Sequence, residues 1–301
     1  MKNHQLKALV QVAESGSIRA AARAMNLSQS ALTKALRELE EELGVELLTR
    51  SYKGIEFTEA GQTLLTRSRL ALSILDKAQA EIALQRSGLG VRVCIAVTPL
   101  VGIHVLPEVL LEFERTQPDA RINLCDGLLS TLLPQLIDGR LDFAVALAAA
   151  RDLPFETAFE AIVPIASAVA GRRNHPLAGA ETWDVLKEAK WVLNLTPGSQ
   201  GTTFLHWLSQ QGLSEPKNII HCDSPLLMLE IMQRTDRLGI GPAAFFSDPL
   251  ISQGIQRINV QPLPAPMMLG LITLRGIPLS RSAQQLASTI SRHIRNSPNI
   301  V

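Results

Sequence analysis

The sequence predicts an α/β protein in which a helical N-terminal module precedes two α/β lobes. Three observations carry this. Apolar residues recur at helical spacing through most of the first ninety residues. From Val91 the pattern turns to short β-branched runs alternating with helical stretches. Between the two, one helical pattern runs from about 59 to 86 without a break.

Leu6, Leu9, Val10 and Ala13 fall at i, i+3, i+4 and i+7, one face of a first helix, and Gly16 suits a left-handed cap at its end. Ser17 can cap a second helix carrying Ile18, Ala21, Ala22 and Met25 on one side. After the turn Asn26-Leu27, Ser28 can cap a third helix that should bury Leu32, Leu36, Leu39 and Leu43. The front of this helix carries Gln29, Ser30, Thr33, Lys34 and Arg37; its rear carries Glu38, Glu40, Glu41 and Glu42. Two short helices joined by a tight turn, the second with a polar outer face, make a helix-turn-helix. The front of the second helix then enters the major groove, where hydroxyls, amides and cations meet base edges and phosphates. Ser28 can also set backbone N–H groups against a phosphate. The glutamates would mark where contact stops. An ordinary amphipathic helix shows the same spacing; the paired caps and the segregated charge favour DNA.

Leu47 and Leu48 supply further core contacts. Arg50 and Lys53 flank an expected hairpin with Gly54 at its turn, and Ile55 and Phe57 alternate inward. This is a wing whose cations would reach phosphate or the minor groove. Residues 1–58 are therefore predicted to be a winged helix-turn-helix. Thr58 can cap the long helix, in which Leu65, Leu72, Leu75 and Ile82 recur with coiled-coil spacing. A rod of roughly 42 Å with no core of its own pairs most economically with a second copy. Residues 59–90 thus read as a dimerisation helix ending in a hinge at Ser87-Gly88-Leu89-Gly90.

Residues 91–301 read as one ligand-binding domain. VRVCIAVTP, ARINLCDG and LDFAVALA are strands separated by helical stretches, so a parallel sheet covered by helices on both faces is expected. Lobe I should span about 91–161 and 267–301, and lobe II about 162–266 with AIVPIASAVAG, WVLNLTP and RLGIGPA as its strands. Ligands in such sheets bind beyond the carboxyl ends of strands. Thr98-Pro99 is one such end, and TPGSQGTTF, residues 196–204, should face it across a cleft. Each joins a strand end to a helix start, where free amides favour a carboxylate.

Bulk properties exclude more than they assign. Hydrophobic content of 46% supports real cores, and a net charge of +1 gives no case for nucleic acid. Residues 1–90 hold 12 Lys and Arg against 10 Asp and Glu, so any DNA contact must come from placement. Cys94, Cys125 and Cys222 show neither a disulfide framework nor a metal spacing, and neither do the six histidines. No metal or cofactor is expected, and no nucleophile elbow supports an enzyme. The start, MKNHQLKALVQVAESGS, lacks an apolar signal core and no apolar run spans a bilayer, so a soluble cytoplasmic protein with no membrane contact is expected. A simple solute-binding protein would leave the first ninety residues unexplained.

The order of parts, with SGSIRAAARAMNLSQSALTKALRELEEELGVELLTR, KGIEFTEAG and IDGRLDFAVA, resembles the LysR-type transcriptional regulators over essentially the whole chain. The resemblance implies a winged helix-turn-helix, a dimerising linker helix and a two-lobed effector domain like periplasmic binding proteins. It puts DNA contacts on Gln29, Ser30, Thr33 and Lys34, with Arg50 in the wing. It puts effector contacts on Thr98 and Pro99, on the helix start after Gly127 with Ser130 and Thr131, and on Gln200, Gly201 and Thr202. Most members carry proline where this chain has Ser30, which keeps an N–H. Many carry a small polar residue where Leu129 stands, which points to a partly apolar effector. The implied partners are an inverted-repeat operator in double-stranded DNA, a small organic or aromatic carboxylate, further copies of the chain as a dimer and tetramer, and RNA polymerase.

Overall fold

The structure is a computed structural model that describes residues 1–51, 54–87, 91–186 and 188–300. The chain forms two compact units.

In the first unit, α1 (Asn3–Ser15), α2 (Ile18–Ala24) and α3 (Gln29–Leu43) are set by their caps. Gly16 ends α1 at φ 68°, the Ser17 hydroxyl accepts the Ala20 N–H, and the Ser28 hydroxyl accepts the Ala31 N–H. β1 (Leu48–Ser51) and β2 (Gly54–Phe57) pair antiparallel, with Arg50 opposite Ile55. Lys53 and the Arg50 side chain lie outside the described residues. Ala8, Leu9 and Val12 meet Ala21, Ala22, Leu32, Leu36, Leu39 and Leu47 in one core. Leu43 departs from its expected burial. It is 38% exposed and borders a surface groove with Val45 and Leu64 rather than the core.

The 29-residue α4 (Glu59–Ser87) is about 43 Å long. The expectation that it has no core of its own fails for its first turns. The Thr58 hydroxyl accepts the Gly61 N–H and donates to the Glu46 carbonyl. A Cβ on residue 61 would sit 2.0 Å from the Leu47 carbonyl oxygen, so only glycine lets the helix start this close. Leu65 is then 4% exposed inside the unit's own core, and Leu72 is also buried at 8%. Of the four residues predicted for dimerisation, Leu75 at 49% and Ile82 at 59% stay exposed. The expected hinge residues 88–90 lie outside the described residues.

The second unit contains two five-stranded sheets. Its first elements are β3 (Arg92–Val97), α5 (Pro99–His104), α6 (Leu106–Thr116), β4 (Arg121–Asp126), α7 (Leu129–Ile137), β5 (Phe143–Ala148) and β6 (Thr157–Ile165). Next come β7 (Ser167–Arg172), β8 (Lys190–Leu193), α8 (Gln200–Gln210), β9 (Ile219–His221), α9 (Pro225–Arg234) and β10 (Arg237–Pro242). α10 (Ala243–Ser247), β11 (Ile255–Ile258), β12 (Met267–Leu274) and α11 (Arg281–Asn296) complete it. The sheet orders are β4-β3-β5-β12-β6 and β11-β7-β10-β8-β9.

The sheets are mixed, not parallel throughout. β12 runs antiparallel to both β5 and β6, and β7 runs antiparallel to β10 and β11. The chain crosses between lobes at Ala166 rather than near 162, because AIVPI stays in the first sheet and SAVAGR opens the second. Strands β6, β9 and β11 lie at or near sheet edges and are short or half-exposed, so their apolar signal is faint.

Val93, Ile95, Phe143, Val145 and Leu269 bury the first sheet against α6 and α11. Leu286, Ile290 and Ile294 supply the inner stripe of α11. On its outer side, Glu112 of α6 meets Arg292 and lies 2.9 Å from His293 Nε2. The His293 hydrogen bond first, and Arg292 second, hold the Glu112 carboxyl below the ordinary glutamate range. The second sheet rests on a cluster of Trp183, Trp191 and Phe204, with the Trp191 and Phe204 rings 4.9 Å apart. Among the described residues no helix is long and apolar enough to cross a membrane, and no cluster of His, Cys, Asp and Glu could hold a metal.

Candidate nucleic-acid interface and effector cleft

The outer face of α3 follows from its buried one. With Leu32, Leu36 and Leu39 fixed inward, Gln29, Ser30, Thr33, Lys34 and Arg37 share one shallow outer surface with Glu38 and Glu41. Gln29, Ser30, Lys34 and Arg37 are exposed, and Thr33 is half-buried. The Ser28 and Ser30 hydroxyls lie 3.0 Å apart. The Thr33 hydroxyl donates to the Gln29 carbonyl at 2.8 Å, which leaves its lone pairs outward. The Lys34 ammonium is 3.8 Å from Glu38 and 78% exposed, an ion pair too loose and wet to hold it.

The acidic half of α3 has duties the sequence did not disclose. Glu40 accepts the Leu47 and Leu48 N–H groups at 2.8 and 3.1 Å and so anchors the start of β1. Glu42 pairs with the N-terminal ammonium of Met1. Glu40 and Glu42 are therefore structural.

In the second unit a cavity of about 110 Å³ opens between the lobes. Strand ends meet there. Thr98 follows β3, Leu129 starts α7 just after β4, Asn194 follows β8, and Gly241 and Pro242 end β10. Thr98, Pro99 and Gln200 line the cavity. Ser130, Thr131, Gly201 and Thr202 border it without lining it. Ser130 accepts from Asn194 Nδ2 at 3.3 Å, a bond from one lobe to the other. Thr131 donates to the Leu128 carbonyl, and Thr202 to the Thr196 carbonyl. Gly201 serves packing, since a Cβ there would meet the Asn194 carbonyl oxygen at 2.0 Å. A second interlobe bond joins the Ala149 N–H to the Gly198 carbonyl.

The polar lining is almost fully engaged. Asn194 accepts the Thr196 N–H and donates to Ser130. Ser199 donates to the Asn194 carbonyl and accepts the Thr202 N–H. Gln200 donates to Ser167. Thr98 differs. Although it stands at the start of α5, its hydroxyl makes no cap bond, and this oxygen is buried without a partner.

Most of the remaining lining is apolar: Leu129, already marked in the sequence, is joined by Leu128, Leu147, Met228, Leu229, Met232, Ile240, Phe245 and Phe246, which the sequence does not single out. Among the described residues, none of those lining the cavity is Arg, Lys or His. Asn194 could have been found by the strand-end rule that found Thr98. Met228 and Met232, one turn apart on α9, look like ordinary core positions in sequence.

Two family models match the chain. "Bacterial regulatory helix-turn-helix protein, lysR family" covers residues 3–62, and "LysR substrate binding domain" covers 86–295. The HTH-type transcriptional regulator TdcA of Escherichia coli K12 is 31% identical over 246 residues, 80% of this chain and 77% of its own. The HTH-type transcriptional regulator GalR of Pseudomonas putida is 24% identical over 96% of this chain and 73% of its own. Among solved structures, full-length CbnR in complex with its target DNA superposes with a TM-score of 0.63 at 20% identity, over 98% of this chain and 99% of that one. With one model on the capped helices and wing, and the other on the two-lobed cleft, the chain belongs to the LysR family of bacterial transcriptional regulators.

Proposed function

We propose that the chain binds an inverted-repeat operator through α3 and that a small organic carboxylate held between the lobes controls that binding or the activation that follows. The observation that carries the DNA half is the outer face of α3, where amide, hydroxyl and cationic groups stand exposed on a rigid, doubly capped helix. Gln29, Ser30 and Thr33 suit base edges; Lys34 and Arg37 suit phosphates. Ser28 serves the helix start, and Arg50 and Lys53 of the wing would reach the flanking backbone. Two chains joined along the exposed part of α4, through Leu75 and Ile82, present two such helices to successive major grooves about 34 Å apart. Pairing of dimers into a tetramer would engage two such sites. The solved CbnR complex contains DNA, which supports the same use of the same fold.

The effector half rests on the cavity at converging strand ends. A ligand there bridges both lobes and shifts the protein only as far as it binds one arrangement more tightly than another. Residues 1–58, 59–90 and 91–301 are proposed to divide these tasks as reader, dimerisation arm and sensor.

Selection from random double-stranded DNA with the purified chain tests the reading. Enrichment of an inverted repeat, lost with the Thr33→Ala, Lys34→Ala double variant, is the expected result. Recovery of no preferred sequence would contradict it.

A further inference from the structure

We infer that the effector carries one polar end and a hydrocarbon body, a monocarboxylate such as a medium-chain or aromatic acid, and that the cleft rejects dicarboxylates and polyols. The inference rests on the reading of the interlobe cavity as the effector site.

Two features of the lining suit a single acceptor-rich group. The Thr98 hydroxyl is buried in a residue 5% exposed and has no partner. The first amides of α8, at Gln200 and Gly201, have no acceptor within the helix, and Gln200 itself lines the cavity. One carboxylate would satisfy both lobes at once. The orphaned hydroxyl is what distinguishes this helix start from any other.

The rest of the described lining offers nothing to a second charge. Leu129, Leu147, Met228, Met232 and Phe246 belong to it, none of the described lining residues is a cation, and the remaining polar lining groups already bond each other, their own backbone or Ser167. A second carboxylate placed there would lose its water and gain no partner. A hydrocarbon body loses nothing, and two methionines adapt to its outline.

Calorimetric titration of the full chain with hexanoate, benzoate, adipate, terephthalate and hexan-1-ol tests this. Hexanoate or benzoate should bind at one site per chain, at least about tenfold tighter than the matched diacid. Leu129→Ser, which puts a hydroxyl in the apolar lining, should narrow that ratio. Met228→Trp, which fills the cavity, should abolish binding while leaving the unfolding temperature of the second unit in place. Diacids binding as tightly as monoacids, with both lost in Met228→Trp, would overturn the inference and leave the cleft reading standing. Hexan-1-ol matching hexanoate would overturn the carboxylate. Monoacid binding that survives both Met228→Trp and a second filling variant, Leu147→Phe, would overturn the cleft reading itself. No binding by either monoacid at millimolar concentration would overturn the inference.

Discussion

The outer face of α3 and the interlobe cavity, the two proposed sites, are opposite in character. On α3 the groups proposed to read DNA are polar, exposed or half-buried and borne by one helix, and their contacts are local ones at the surface. In the cavity nearly every polar side chain of the described lining is engaged, which leaves hydrocarbon and one orphaned hydroxyl for the proposed ligand. The first surface suits a polyanion whose sequence must be read by hydrogen bonds. The second suits a small molecule whose binding must alter how two lobes pack.

This contrast can be broken most severely where α3 is held in place. Leu36→Ala should cost about 2–5 kcal/mol of stability in the first unit, seen as a lowered denaturation midpoint, because Leu36 lies in the closed core under the reading face. An equal change at Lys34 should leave stability unaltered. There the loss appears in DNA binding, about 1–3 kcal/mol for Thr33→Ala with relaxed sequence preference. For Lys34→Ala the salt dependence of log affinity should fall by about one phosphate contact. A Thr33 variant that keeps full discrimination between operator and scrambled DNA would separate α3 from base reading.

The long helix gives an intermediate test. Ile82→Glu with Leu75→Glu should dissociate the dimer in sedimentation without unfolding the chain, since both side chains are exposed. Leu65→Glu should instead unfold the first unit. If the Ile82, Leu75 variant sediments like the parent, the pairing lies elsewhere.

Much of the first unit was legible because its signals are local. Gly16, Ser17 and Ser28 each act within one turn of where they stand in sequence, and Leu32, Leu36 and Leu39 repeat at helical spacing. What escaped was non-local. Glu40 anchors backbone seven and eight residues ahead, and Leu65 finds the core of its own chain only because Gly61 lets α4 touch Leu47. The cavity was legible at its polar strand ends and at Leu129. Its apolar wall draws on segments from Leu128 to Phe246, and nothing in PLLMLEIMQR separates a methionine facing a ligand from one facing a core. The mixed sheet direction was hidden for a similar reason: strand pairing depends on where β12 returns, not on the local run.

Smaller effects sharpen the cavity side. Thr98→Val should leave the second unit as stable as before or slightly more so, since it removes an unpartnered buried oxygen, while weakening the effector response. Smallest of all is the pH term on α6. Glu112 is held below its ordinary range, so its contribution is present at neutral pH and above the usual glutamate pKa, and is lost as pH falls through the lowered value. Glu112→Gln should flatten that acidic limb slightly in a denaturation series, with no change at neutral pH in operator affinity.

The most direct measurement is equilibrium binding of the parent chain and of Thr33→Ala, Lys34→Ala to a selected operator and to a scrambled duplex at one salt concentration, with folding checked for both. The account predicts that the double variant loses the difference between the two duplexes while remaining folded and dimeric. Full discrimination retained by that variant would contradict it.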